Sequence, residues 1–161
     1  MSLMGDFNKV DNSRREELKQ KLKKHLPESE LYLELADFSR DVAALMGDTV
    51  TATQIERMHD AILVGPYEGA AGVLERLMGR GVAVAILSNT CGAHWAHLAH
   101  YSSVAVVPEE SRFLSFQLGL IKPDPAIYER VEALSGYGGA DILFLDDGFA
   151  QVEAARRCGW R

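Results

Sequence analysis

Ile86-Leu87-Ser88-Asn89-Thr90 and Ile142-Leu143-Phe144-Leu145-Asp146-Asp147 are two apolar runs that each stop abruptly at small or acidic polar groups, and Lys122-Pro123-Asp124-Pro125 lies between them. A short apolar run ending in hydroxyl, amide or carboxylate groups predicts a buried parallel strand that delivers polar side chains to the carboxyl edge of a sheet. Open α/β folds bind ligands at that edge. The candidate functional residues are therefore Ser88, Asn89, Lys122, Asp146 and Asp147.

The pattern around these runs fits an α/β class. From Gly65 onward, helical and apolar stretches alternate: a helix through Val73, Leu74 and Leu77, a stop at Gly81, and a strand over 82–87. A helix over 91–100, a short strand over 104–107, a helix over 125–134, a strand over 142–145 and a helix over 152–158 follow. Such βαβ order predicts a parallel sheet with helices packed on it. Residues 13–63 carry no strand pattern. Leu31, Leu35, Phe38, Val42 and Leu45 fall at helical spacing and Gly47 ends that stretch. Thr51 with Gln54 has the spacing of a capping box, and Ser13 with Glu16 offers an earlier helix start. The charge run Lys19 to Lys24 reads as a solvated helix face. The expected organisation is a leader or remnant of the core's start at 1–12, a helical subdomain at 13–64 and the α/β core at 65–161.

Composition excludes several classes. With 161 residues, 47% of them hydrophobic, the chain has enough material for one ordinary core. Its 17 basic residues against 23 acidic ones give a formal charge of -6, which offers no field for a polyanionic duplex, so no nucleic-acid partner is expected. No apolar run approaches the roughly 20 residues needed to cross a bilayer, and Met1-Ser2-Leu3-Met4-Gly5 lacks the regions of a secretion signal. The expected compartment is the cytoplasm, with no membrane partner. Cys91 and Cys158, with no CxxC spacing, read as incidental thiols. The oligomeric state is left open.

Each polar group has two readings. Asp146 and Asp147 are successive residues of an extended segment, so their side chains diverge and need different partners. A hard divalent cation such as Mg²⁺ is one solution, and capping of the following helix is the other. Ser88 and Asn89 stand where a strand turns into a helix, as caps or as an anion cradle. Lys122, in a turn stiffened by two prolines, is either a surface lysine or a compact charge for phosphate. His94, His97 and His100 recur every three residues, which suits a polar helix face better than a metal site. Trp160, Phe144 and Phe149 read as core rings.

Taken in order, Ser88-Asn89-Thr90, Lys122-Pro123-Asp124-Pro125 and Asp146-Asp147 resemble the haloacid dehalogenase-like (HAD) hydrolase superfamily. The surrounding Leu118-Gly119-Leu120-Ile121 and Ala126-Ile127-Tyr128, with Val152-Glu153-Ala154-Ala155 and Gly159-Trp160, extend the resemblance. It implies a Rossmann-like parallel sheet with helices on both faces and a small helical cap. It also implies a Mg²⁺-dependent phosphatase acting on a small phosphorylated metabolite. By that resemblance Ser88 binds the transferring phosphoryl group, Asn89 shapes the same turn, and Lys122 neutralises charge. Asp147 ligates Mg²⁺ and Asp146 supports the metal shell. The family's metal-free dehalogenases replace the acidic pair with smaller neutral residues, so the resemblance implies phosphatase chemistry rather than carbon–halogen cleavage.

The family also carries a nucleophilic aspartate at the end of its first strand, with a second acid two residues on. Here the nearest candidate is Asp6, with Asn8 at the second position, preceded by a short polar stretch unlike a central strand. Gln151 stands where the family commonly has asparagine. Three expectations stay open: a chain lacking its first strand, a divergent start using Asp6, and a non-catalytic phosphate- or metal-binding relative.

Overall fold

The structure is a computed structural model that describes residues 35–161. Asp6, Asn8, the Ser13 and Glu16 helix start, the charge run 19–24 and Leu31 lie outside the described residues. The chain divides into two compact units, Met1–Ile62 and Leu63–Arg161.

In the first unit, helix α1 (Leu35–Leu45) packs against helix α2 (Ala52–Asp60). A 3-10 turn, Gly47–Thr49, connects them, and Gly47 adopts φ 63°, a left-handed value that a side chain would strain. The Thr51–Gln54 capping box forms: the Gln54 N–H donates to Thr51 Oγ1 at 3.3 Å, and the Thr51 N–H donates to Gln54 Oε1 at 2.8 Å. Two otherwise orphaned donors of the helix start are thereby satisfied. Ile55 is buried, and the Phe38 and His59 rings meet at 6.3 Å.

The second unit runs α3 (Ala70–Met78), β1 (Ile86–Ser88), α4 (Gly92–Leu98), α5 (Ser102–Ala105), β2 (Arg112–Leu114), α6 (Ser115–Leu118), α7 (Pro125–Ser135) and α8 (Phe149–Arg157). Its sheet is parallel, as the alternating pattern predicts, and two-stranded among the described residues, with Ile86 opposite Arg112, Leu87 opposite Phe113 and Ser88 opposite Leu114. The ladder on the first strand is shorter than expected. Val82 stays exposed, and only the last residues of the apolar run pair.

Three expectations need correction. Residues 104–107 are not a strand: the Val104 and Ala105 N–H groups both return to the Tyr101 carbonyl, at 2.9 and 2.8 Å, and close a helical turn. The partner of β1 is instead Arg112–Leu114, in which Phe113 and Leu114 are buried and outweigh the short length of the apolar run. Residues 142–145 are extended but form no ladder with β1. The Phe144 N–H donates to the Arg161 carbonyl at 2.8 Å, and the Arg161 N–H donates to the Ile142 carbonyl at 2.9 Å. Ile142 and Phe144 thus face the core, while the alternate residues Leu143 and Leu145 are 69% and 83% exposed. Phe149, expected in the core, is 79% exposed because it is the first residue of α8, whereas Ala154 and Ala155 on the inner face are buried.

Helix α7 starts at Pro125 behind an Asp124 cap whose Oδ1 accepts from the Ala126 N–H at 2.9 Å. Its buried face, Ile127, Tyr128 and Val131, packs with Phe113, Ala154, Ala155 and Trp160. Tyr128, Phe144 and Trp160 meet edge-on, with centroids 5.2 to 6.0 Å apart, a geometry that aligns ring edges with the electron-rich faces. Trp160 Nε1 donates to Glu132 Oε1 at 2.8 Å, so its polar atom is satisfied. No helix among the described residues is long and apolar enough to cross a membrane.

Candidate functional site

The carboxyl end of β1 and the end of the extended segment 142–146 meet at one side chain. Lys122 is 8% exposed, and its Nζ donates to the Leu87 carbonyl at 2.9 Å and to Asp146 Oδ2 in an ion pair. The ammonium also stands 5.4 Å from the centroid of the Phe144 ring, within cation–π range. An almost fully buried cation is tolerated because each of these partners offers negative potential.

The turn that carries Lys122 is fixed from β1. Asn89 Nδ2 donates to the Lys122 carbonyl at 2.9 Å, and the Lys122 N–H donates to Asn89 Oδ1 at 2.9 Å. The Lys122–Pro123 peptide is cis. Next along the chain, the Thr90 N–H donates to Ser115 Oγ at 2.9 Å and the Ser115 hydroxyl donates to the Thr90 carbonyl at 3.0 Å. The segment leaving β1 is thereby tied to the start of α6 at the same end of the sheet.

On the other side, Asp146 Oδ1 accepts from the Gly148 N–H at 2.8 Å. Burial alone would raise the Asp146 pKa. The hydrogen bond and charge of Lys122, the Gly148 N–H and the neighbouring Asp147 side chain outweigh it and hold the carboxyl below the usual range. Asp146 therefore stays ionised at neutral pH with both oxygens engaged. Asp147, the next residue, is exposed.

Of the residues singled out from sequence, the structure brings Asn89, Lys122 and Asp146 into direct contact. Asp147 adjoins them through Asp146. Ser88 ends β1, half-buried, one residue beyond the carbonyl that Lys122 holds. His94 and His97 lie in α4, and His100 follows it. Sequence reasoning missed Ser115, although the cue was the same one that marked Ser88: a hydroxyl directly after a buried apolar pair, Phe113-Leu114. It also missed Tyr128, whose hydroxyl donates to the Gln151 carbonyl at 2.8 Å and braces the turn after the acidic pair.

As donors, Asp146 and Asp147 are hard oxygen ligands on adjacent residues, close enough to interact. Mg²⁺ is commonly held by one or two carboxylates with waters and phosphate oxygens, so the set fits that ion.

The sequence model of a hydrolase family described as haloacid dehalogenase-like hydrolase matches residues 7–159. Among solved structures, the chain resembles a HAD family enzyme from Bacteroides thetaiotaomicron, with a TM-score of 0.70 and 22% identity over 94% of this chain and 84% of that one. The magnesium complex of the same enzyme gives a TM-score of 0.71 at 23% identity, covering 93% of this chain and 83% of that one. A mutant of it with one aspartate changed to alanine, in complex with magnesium and inorganic phosphate, gives 0.71 at 22%, covering 93% and 84%. At these identities the likeness establishes a shared fold.

Proposed function

This chain belongs to the haloacid dehalogenase-like hydrolase family, and from that premise we propose that it is a Mg²⁺-dependent phosphatase acting on a small phosphorylated metabolite in the cytoplasm. The observation that carries the reading is the Lys122–Asp146 pair standing where the end of β1 and the end of the extended segment 142–146 converge, with Ser88 and Asp147 beside it. The Bacteroides enzyme, which binds magnesium and inorganic phosphate, supports the same assignment by analogy. In the proposed organisation α1 and α2 belong to the helical cap and residues 65–161 form the Rossmann-like core.

The residue roles follow from charge and position. The Ser88 hydroxyl and the backbone around Asn89 receive phosphoryl oxygens at the end of β1. Lys122 supplies a compact positive charge whose place is fixed before substrate arrives, because Asn89 holds its backbone and Asp146 its ammonium. Preorganised charge of this kind lowers the barrier to phosphoryl transfer without reorganisation during reaction. Asp147 would hold Mg²⁺ and Asp146 would support its shell, and the ion would neutralise phosphoryl charge. The nearest candidate for an attacking carboxylate, Asp6, lies outside the described residues.

Purified full-length chain should hydrolyse an aryl phosphate in the presence of Mg²⁺ and lose that activity in Asp147→Ala. Retention of full activity in Asp147→Ala would overturn the metal assignment.

A second reading, a non-catalytic phosphate-binding module, is favoured by one feature. The charge of the Lys122 ammonium is already balanced by Asp146, with the Leu87 carbonyl as a second acceptor, so it needs no further carboxylate. Absent turnover, together with phosphate binding that Lys122→Ala removes, would select this alternative.

A further inference from the structure

We propose that Ser115 is a positioning residue for the phosphate-receiving turn Ser88–Asn89–Thr90: its hydroxyl joins both backbone groups of Thr90 and so holds that turn in one orientation. The inference rests on reading Ser88 and the backbone around Asn89 as the phosphoryl-binding end of the site. Ser115 Oγ accepts from the Thr90 N–H at 2.9 Å and donates to the Thr90 carbonyl at 3.0 Å. Both are ordinary hydrogen-bond lengths, and one hydroxyl can accept and donate at once. The Thr90 N–H belongs to the peptide shared with Asn89, and the Thr90 carbonyl to the peptide shared with Cys91. Because each peptide is planar, holding the two groups fixes Thr90 relative to both neighbours.

The anchor sits on the sheet itself. Ser115 is 1% exposed and directly follows Leu114, which stands opposite Ser88 in the last pair of the parallel ladder. The ladder ends at Ser88, and the Ser115 side chain carries the tie two residues further. Asn89, between them, is held from another direction by its bonds to the Lys122 backbone. Thr90 is buried, so removing the Ser115 hydroxyl takes a partner from two backbone groups with little access to water. Buried backbone groups rarely stay unpaired, so the segment shifts to find others and moves the phosphate-receiving atoms with it. A shift of about 1 Å is enough to lose much of the benefit of an aligned group.

The test reads the affinity of the full chain for inorganic phosphate by calorimetry in the presence of Mg²⁺. Ser115→Ala should weaken phosphate binding by about tenfold, as should Ser115→Cys, which keeps nearly the same volume but is a weak donor and acceptor. Where the alanine variant does not fold, the cysteine variant carries the comparison. Mn²⁺ affinity without phosphate should stay as in wild type, because Asp146 is held by Lys122 and Gly148 instead. In a Ser88→Ala background the loss caused by the Ser115 change should shrink, since Ser115 acts through the turn that presents Ser88. A fall in thermal midpoint with phosphate affinity unmoved would make Ser115 a stability residue alone and overturn the proposal. Equal losses with and without the Ser88 hydroxyl, or a parallel loss of Mn²⁺ affinity, would overturn it too. Wild-type chain that fails to bind phosphate would remove the phosphate-site reading and this inference together.

Discussion

Asn89 and Lys122 clasp each other across the end of the sheet: the Asn89 side-chain amide donates to the Lys122 carbonyl and accepts from the Lys122 N–H, both at 2.9 Å. One side chain therefore replaces a ladder of backbone bonds between β1 and the proline-flanked turn. Asn89→Ala removes donor and acceptor together and leaves both Lys122 backbone groups without that partner. The expected cost is about 1–3 kcal/mol in urea unfolding. Asn89→Asp keeps the acceptor and loses the donor, and should fall between wild type and alanine. Equal stability of Asn89→Ala and wild type would show that the clasp contributes nothing.

Tyr128 gives the fold an alkaline limit. Burial, then the charges of Asp146 and Cys158, push its phenol up to about 12 from an ordinary 10.0, against a lowering contribution from Arg157. The folded state thus favours the protonated phenol more than the unfolded chain does. The resulting stability is fully present below pH 10 and is lost as pH rises from about 10 through about 12. Unfolding free energy measured at stepped pH should decline over that window. Tyr128→Phe should be less stable at neutral pH, through loss of the bond to the Gln151 carbonyl, yet show a flatter alkaline decline. An unchanged slope in Tyr128→Phe would assign the decline to other groups.

Close backbone approach explains Gly139. A Cβ there would meet the Cys158 carbonyl oxygen at 2.8 Å and the Gly159 carbonyl carbon and oxygen at 3.1 and 3.2 Å. These are main-chain atoms at the end of α8 and cannot rotate away. Gly139→Ala should push the Gly159–Arg161 terminus off the extended segment it bonds to, at a cost of about 1–3 kcal/mol. Gly138→Ala is the control, because no atom lies within 4 Å of its Cβ position. Thermal denaturation of the two variants should separate them clearly, and matching midpoints would refute the clash.

What the sequence made legible was whatever is encoded locally. The Thr51–Gln54 box, the Asp124-Pro125 helix start and the apolar run ending at Ser88 each carry their signal within a few residues, and each appears in the structure. The meeting of Asn89, Lys122 and Asp146 was legible through the ordered motif. What failed was pairing. Val104 to Val107 has β-branched residues but closes on Tyr101, and Arg112–Leu114 pairs instead because Phe113 and Leu114 have a core to enter. Strand propensity reports fitness for a half-buried surface, and which surface is available is a tertiary fact. Ser115 and Tyr128 escaped for the same reason, since their partners are distant in sequence.

The extended segment 142–145 makes the sharpest contrast between adjacent positions. Its inward residues Ile142 and Phe144 touch the core that contains Phe113, while Leu145 is 83% exposed. Burial rather than residue type should then decide the cost of substitution. Phe113→Ala, at a site 5% exposed, should cost about 3–5 kcal/mol through lost transfer energy and the cavity left behind. Leu145→Ser should change stability by less than about 0.5 kcal/mol, and should lower aggregation because an extended segment with exposed leucines invites edge pairing. Denaturant unfolding and light scattering on the two variants measure both quantities. A multi-kcal loss in Leu145→Ser would mean that this leucine is covered in solution, and that the alternation along 142–145 serves a second buried face.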